Sequence, residues 1–108
     1  MKIKIKPLSV NQCWKGRRYK TEKYKIFEND LLLSLPMITI PKGKLDIYIV
    51  WGFSSKSSDW DNPIKPFQDV LQKKYDFNDN RVYRGLVEKV DVKKGEEFIW
   101  FKICPYLK

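Results

Sequence analysis

A small α+β domain is predicted, with two helices packed on a small mixed sheet in the order β-α-β-α-β-β along residues 1–108. Three observations lead there. Apolar residues recur at every second position in residues 2–6 and at every third or fourth in residues 21–35, the periods of a strand and of a helix. Leu45–Phe53 is nearly continuous in apolar, β-branched and aromatic side chains, as in a central strand buried on both faces. Finally, 43% apolar and 15% aromatic residues over 108 positions supply one hydrophobic core, which excludes a disordered basic tail, and leave no length for a second domain.

The elements follow in chain order. Residues 2–6 form a short strand with Ile3 and Ile5 on one face, which Pro7 ends. Residues 7–11 are a loop, and Gln12–Lys20 is a basic, aromatic segment around Gly16. Thr21 caps a helix that runs to about Leu35, with Tyr24, Phe27, Leu31 and Leu35 along one face and Pro36 as its stop. After the Pro41-Lys42-Gly43 turn comes the main strand, then the polar loop Ser54–Ser58. A second helix starts around Asn62-Pro63, with Ile64, Phe67, Val70 and Leu71 facing inward. Pro66 is expected to distort its first turn, since a proline at the fourth helical position removes a hydrogen bond. Residues 76–80 are turn chemistry, and Arg81–Val92 with Glu96–Ile103 reads as a hairpin across Lys93-Lys94-Gly95.

Charge narrows the function. With 22 Lys+Arg against 13 Asp+Glu, the net charge is +9, which favours a polyanionic partner, nucleic acid first. Cys13 and Cys104 are far apart and read as free thiols. The N-terminal residues alternate charged and apolar side chains and never reach a membrane-length run, so a cytoplasmic protein without a membrane partner is expected.

The chemistry concentrates in Asp59-Trp60-Asp61-Asn62-Pro63-Ile64-Lys65, with Asp79 beyond the following helix. Two carboxylates bracket one residue where the main strand hands over to a helix. In a chain with no His, an oxygen-only site suits Mg²⁺, or Mn²⁺, rather than Zn²⁺. The same residues would also serve as loop closure and helix cap, Asp59 ending the serine loop and Asp61 or Asn62 capping. If they converge, Asp59, Asp61 and Asp79 would hold metal for phosphodiester hydrolysis, and Lys65 would approach the phosphate or orient the water. Asp69, one turn after Lys65, would hold that lysine by an i,i+4 pair. Trp14, Lys15, Arg17, Arg18, Tyr19 and Lys20 suit phosphate contact and base stacking; folding back of Trp14 and Tyr19 onto the core is the alternative.

These residues carry a resemblance. The chain resembles the RusA family of Holliday junction resolvases, whose pattern is Asp-x-Asp-Asn, a Lys four residues after the second Asp, an Asp on the following helix and an Asp just before the next strand. Asp59, Asp61, Asn62, Lys65, Asp69 and Asp79 fall on those positions, and Pro7, Ser9 and Asn11 match an N-terminal Pro-x-Ser-x-Asn. Trp60, Pro66, Asn78 and the weakly basic serine loop depart from it. The resemblance implies a metal-dependent endodeoxyribonuclease that resolves four-way junction DNA by paired cuts, with Asp59, Asp61 and Asp79 as metal ligands, Lys65 catalytic, Asn62 and Asp69 supporting, and Asn11 among the DNA contacts. It also implies a homodimer. A non-catalytic nucleic-acid-binding protein is the alternative, and a small ribonuclease is disfavoured because no His is present for acid–base work. The edge of the final hairpin and the apolar residues of the first helix are the candidate dimer surfaces.

Overall fold

In the computed structural model, which describes residues 1–17 and 19–107, Thr21 opens helix α1 (Glu22–Ser34) by accepting a hydrogen bond from the Tyr24 N–H at 3.2 Å. Tyr24, Phe27 and Leu31 are its buried face, as the spacing predicts. Those three residues are core, whereas the apolar Ile26 and Leu33 of the same helix are exposed. Helix α2 (Ile64–Tyr75) begins one residue later than expected, at Ile64 instead of Pro63. That shift puts Pro66 at the third helical position, whose N–H has no intrahelical partner in any helix, so the proline needs no distortion.

Six strands complete the α+β fold: β1 (Lys2–Ile3), β2 (Trp14–Lys15), β3 (Tyr19–Lys20), β4 (Leu45–Phe53), β5 (Val82–Asp91) and β6 (Phe98–Pro105). The main sheet has the order β1-β6-β4-β5, with β5 parallel and β6 antiparallel to β4. The expected hairpin is thus replaced. The Lys93-Lys94-Gly95 turn is present, with the Glu96 N–H donating to Lys93 at 2.9 Å and Gly95 at a φ of +93°, but β4 lies between the strands it joins. Both flanking strands pair along the length of the apolar β4 and not with each other. Pairing preference of that kind is invisible in a local pattern.

β4 is central, yet only one of its faces is fully buried. Leu45, Ile47, Ile49 and Trp51 point into the core with Ile99 and Phe101 of β6, and Phe67 of α2 meets Trp51 and Phe101 edge-on, each at 5.5 Å. The opposite face carries half-exposed groups. Tyr48 packs edge-on against Trp100 at 5.1 Å, and Arg84 Nε donates to Asp46 at 3.0 Å. A Cβ at Gly52 would lie 2.3 Å from the Phe98 ring, so this strand position admits only glycine without repacking. β5 is an edge strand, exposed along most of its length. Among the described residues no helix is long and apolar enough to cross a membrane.

Burial also creates a pH dependence. Both cysteines are free, and the fully buried Cys13 has its thiol pushed up to about 11 from 9.0, by loss of water first and by the charge of Asp69 second. Tyr24 rises to about 12 from 10.0 with the same two leading causes. Below pH 9 the folded and unfolded chains both hold the thiol proton. Between pH 9 and about 11 only the unfolded chain has released it, so folding stability falls across that window, and Tyr24 extends the fall from pH 10 to about 12. Thermal melts should show a midpoint that drops above pH 9, with the first part of the drop absent in Cys13→Ala.

Candidate functional site

The end of β4 delivers the chain to the candidate carboxylates. After Phe53, the serine loop is held by Lys89 of β5, whose ammonium donates to the carbonyls of Ser58 at 2.7 Å and Lys56 at 3.2 Å. The turn that follows is pinned from below, because the buried Trp51 indole N–H donates to the Trp60 carbonyl at 2.6 Å. The Trp60 ring itself is half-exposed and lines an apolar groove with Ile64, Leu71 and Leu86. Asn62 Nδ2 donates to Asp59 Oδ2 at 3.0 Å. α2 has no side-chain cap, so the capping role open to Asp61 and Asn62 in the sequence is not taken up.

The N-terminal motif meets this turn. Ser9 caps a short 3₁₀ turn, Val10–Gln12, by accepting from the Asn11 N–H at 3.2 Å, and the Val10 N–H donates to the Asn62 carbonyl at 2.9 Å. Pro7 and Ser9 line one cleft with Ser55, Asp59 and Asn62. Segments some fifty residues apart in sequence are joined there.

A second cluster runs along α2. Lys65 Nζ donates to Asp69 Oδ1 at 2.8 Å, the i,i+4 pair the spacing predicts. Gln72 Nε2 reaches the same oxygen at 3.5 Å, and Gln72 Oε1 accepts from the Asp79 N–H at 3.0 Å. Hydrogen bonding to Asp69 raises the Lys65 pKa, desolvation opposes it, and the charges of Asp69 and Asp79 add to the rise. Lys65 is therefore a permanent cation at neutral pH. Its chemistry is charge stabilisation, not proton abstraction.

The three expected metal ligands are not brought to one point. Among the described residues, no three His, Cys, Asp or Glu side chains are close enough to hold one ion. The topology is consistent with this: Leu45 pairs with Val82, so β5 starts beside the start of β4, and Asp79 is held at Gln72, in the second half of α2, whereas Asp59 and Asp61 precede the helix. Magnesium is nevertheless commonly bound through one or two carboxylates, with water and substrate phosphate completing the shell. Asp59 and Asp61, two residues apart in the turn before α2, are the candidates for that smaller requirement.

The basic segment proves to be a two-stranded arm. β2 and β3 pair antiparallel, with Gly16 at a φ of +62° just beyond β2. Lys15, Arg17 and Asn11 are exposed, as is Tyr19 at 73%; Arg18 lies outside the described residues. Trp14 is half-committed to the protein, its ring meeting Tyr24 edge-on at 5.6 Å. Lys20 is fully committed. Its ammonium bonds both Glu28 oxygens, at 3.1 and 3.0 Å, and Glu28 also pairs with Lys73 of α2 at 3.1 Å. Glu28 thus ties the arm to both helices; although burial alone would raise its pKa, the hydrogen bonds and charges of Lys20 and Lys73 lower it.

Glu28 and Lys89 carry no sequence signal, because their partners are long-range. Gln72 was readable, since it shares a helical face with Lys65 and Asp69 at i+7 and i+3. No protein-family model matches the chain, and no curated protein matches it in sequence.

Proposed function

We propose that the protein is a metal-dependent endodeoxyribonuclease, similar to the RusA resolvases, that acts in the cytoplasm as a homodimer and resolves four-way DNA junctions by paired phosphodiester cuts. The observation that carries this reading is the meeting of two motifs distant in sequence. Pro7 and Ser9 line one cleft with Asp59 and Asn62, and the Val10 N–H bonds the Asn62 carbonyl. Asp59 and Asp61 would hold Mg²⁺ or Mn²⁺, which would supply neutralisation of the charge developing on the phosphate. Asn62 orients Asp59 through its 3.0 Å hydrogen bond. Lys65, positioned by Asp69, offers its cation to the same phosphate, and Asp79 acts on Lys65 from the far end of α2.

The alternative, a nucleic-acid-binding protein without catalysis, is favoured by the lack of a three-carboxylate group among the described residues. One comparison separates the two. Purified protein is incubated with junction, linear duplex and single-stranded RNA, with and without Mg²⁺. Paired nicks in the junction that require Mg²⁺ are expected, while tight junction binding with no cleavage of any substrate would establish the alternative.

Lys15, Arg17 and Arg18 of the arm contact phosphates under this reading, and Tyr19 stacks on a base. Replacing Lys15 and Arg17 with Gln should reduce the slope of log affinity against log salt by roughly 1.8, at about 0.9 per lost contact. Because both are exposed, thermal stability should stay level. Lys20→Gln should instead lower the thermal midpoint by releasing Glu28, and an unchanged slope in the double variant would place the DNA elsewhere.

One carboxylate turn supplies one cut, and two strands of like polarity must be cut, so a two-fold pair is the simplest active unit. The open edge of β5, with Tyr83, Leu86 and Val90 exposed, is the surface offered to the second copy. Mixing wild-type with Asp61→Asn subunits should yield junctions nicked in one strand. Full paired cutting by a species of monomeric mass would refute the dimer.

A further inference from the structure

The cleft that joins the two motifs has a volume of about 390 Å³, at the small end of the roughly 300–1,000 Å³ range of small-molecule sites. Its charge differs from that of the chain as a whole. Its charged groups are Lys6, Asp59 and Glu97, one cation and two carboxylates on a chain of net charge +9. With two carboxylates to one ammonium, the cleft itself offers a bare phosphate no net attraction. An uncharged group suffers no such disadvantage.

The remaining lining matches a nucleobase. Pro7 and Phe53 give apolar surface, while Ser55, Ser57 and Gln12 give hydroxyl and amide groups that both donate and accept. The walls are held before any ligand arrives. Ser54 donates to Glu97 at 2.7 Å, the Ser55 and Ser57 hydroxyls lie 2.8 Å apart, and Lys89 clamps Ser58. A site already ordered in this way spends little of its binding energy on closing loops. Asp59 belongs both to this cleft and to the carboxylate turn, so a nucleotide in the cleft sits directly beside a phosphate at that turn.

We propose that the cleft between the N-terminal loop and the serine loop receives one unpaired nucleotide, its base directed inward and its neighbouring phosphate left at Asp59 and Asp61. The identification of the ligand as a nucleotide of DNA rests on the nuclease reading. Extruding a base costs a few kcal/mol from an intact duplex and less where its neighbours hold it weakly. At the crossover of a four-way junction the bases are paired but the continuous helical stack is interrupted. The cleft therefore contributes selectivity for branched over linear DNA, which open basic surface cannot supply by itself.

Two measurements test this. In the first, the amide resonances of the wild-type protein are followed while CMP, AMP or inorganic phosphate is added without metal. Shifts of Ser54, Ser55, Ser57, Ser58 and Asn62 with the nucleotides but not with phosphate are expected; no shifts, or equal shifts with phosphate, would overturn the proposal. In the second, Ser57→Phe, at an exposed loop position, fills the cleft. It should abolish the nucleotide-induced shifts and slow junction nicking at least about tenfold, a barrier increase of about 1.4 kcal/mol, with the thermal midpoint unchanged. An abasic site placed beside the mapped nick should restore the rate of Ser57→Phe, because no base then needs the cleft; wild-type nicking by Ser57→Phe would overturn the proposal. Nucleotide-specific shifts in a protein that cuts no junction would leave the cleft standing and remove the nuclease reading instead.

Discussion

If Asp59 and Asp61 hold the metal as proposed, Asp61→Asn should lower Mg²⁺-dependent nicking of a four-way junction by at least about 100-fold, since losing one of two carboxylate ligands would remove several kcal/mol of charge stabilisation and each 1.36 kcal/mol is a decade in rate. Junction affinity measured without metal should stay level or rise. The substitution deletes one negative charge beside the bound phosphate and leaves the side chain's size unchanged. Asp59→Asn should do the same and also lose the charge-assisted bond from Asn62. Single-turnover cleavage and an equilibrium binding titration measure the two effects separately. Wild-type cutting by both variants would remove the carboxylate turn from the mechanism. Asp79→Asn then distinguishes two arrangements: a loss equal to that of Asp61→Asn places Asp79 at the same phosphate, and a loss below about tenfold, 1.4 kcal/mol or less, leaves it acting on Lys65 alone.

Phe67→Ala should cost about 3–5 kcal/mol of folding stability, a large part of the roughly 5–15 kcal/mol available to a domain of this kind. Phe67 is fully buried, with Trp51 and Phe101 each edge-on at 5.5 Å. Its removal leaves a cavity where α2 meets β4 and β6, and the two rings around it belong to different strands that cannot both move inward. The expected fall in thermal midpoint exceeds about 12 °C, taking at least 4 °C per kcal/mol for a domain near this size. Denaturant melts with an unchanged m-value would confirm a native-state cavity. A loss under about 1 kcal/mol would mean that α2 repacks, contrary to the low compressibility of close-packed interiors. Because α2 also carries Lys65 and Asp69, the surviving folded fraction should show weakened activity before it shows weakened DNA affinity.

The sequence by itself determined whatever is local. Thr21 capping α1, the buried stripe of Tyr24, Phe27 and Leu31, the centrality of Leu45–Phe53 and the Lys65–Asp69 pair all follow from spacing, because each involves groups within one element or one turn. The α+β class followed too, since the periods of the segments fix their types. Only the tertiary structure decided which strands pair. A turn at Lys93-Lys94-Gly95 is equally compatible with a hairpin and with strands on either side of β4, and the choice depends on apolar area buried across the whole sheet. That choice fixes the site. With β5 parallel to β4, Asp79 is held at Gln72 of α2 while Asp59 and Asp61 precede that helix, and among the described residues the three do not form one cluster. The same long-range packing brought Pro7 and Ser9 to Asp59 and Asn62, and bound Lys20 to Glu28 instead of leaving it free. Sequence order constrains neighbours along the chain, whereas contacts between distant segments are set by how the single core closes around Trp51 and Phe67.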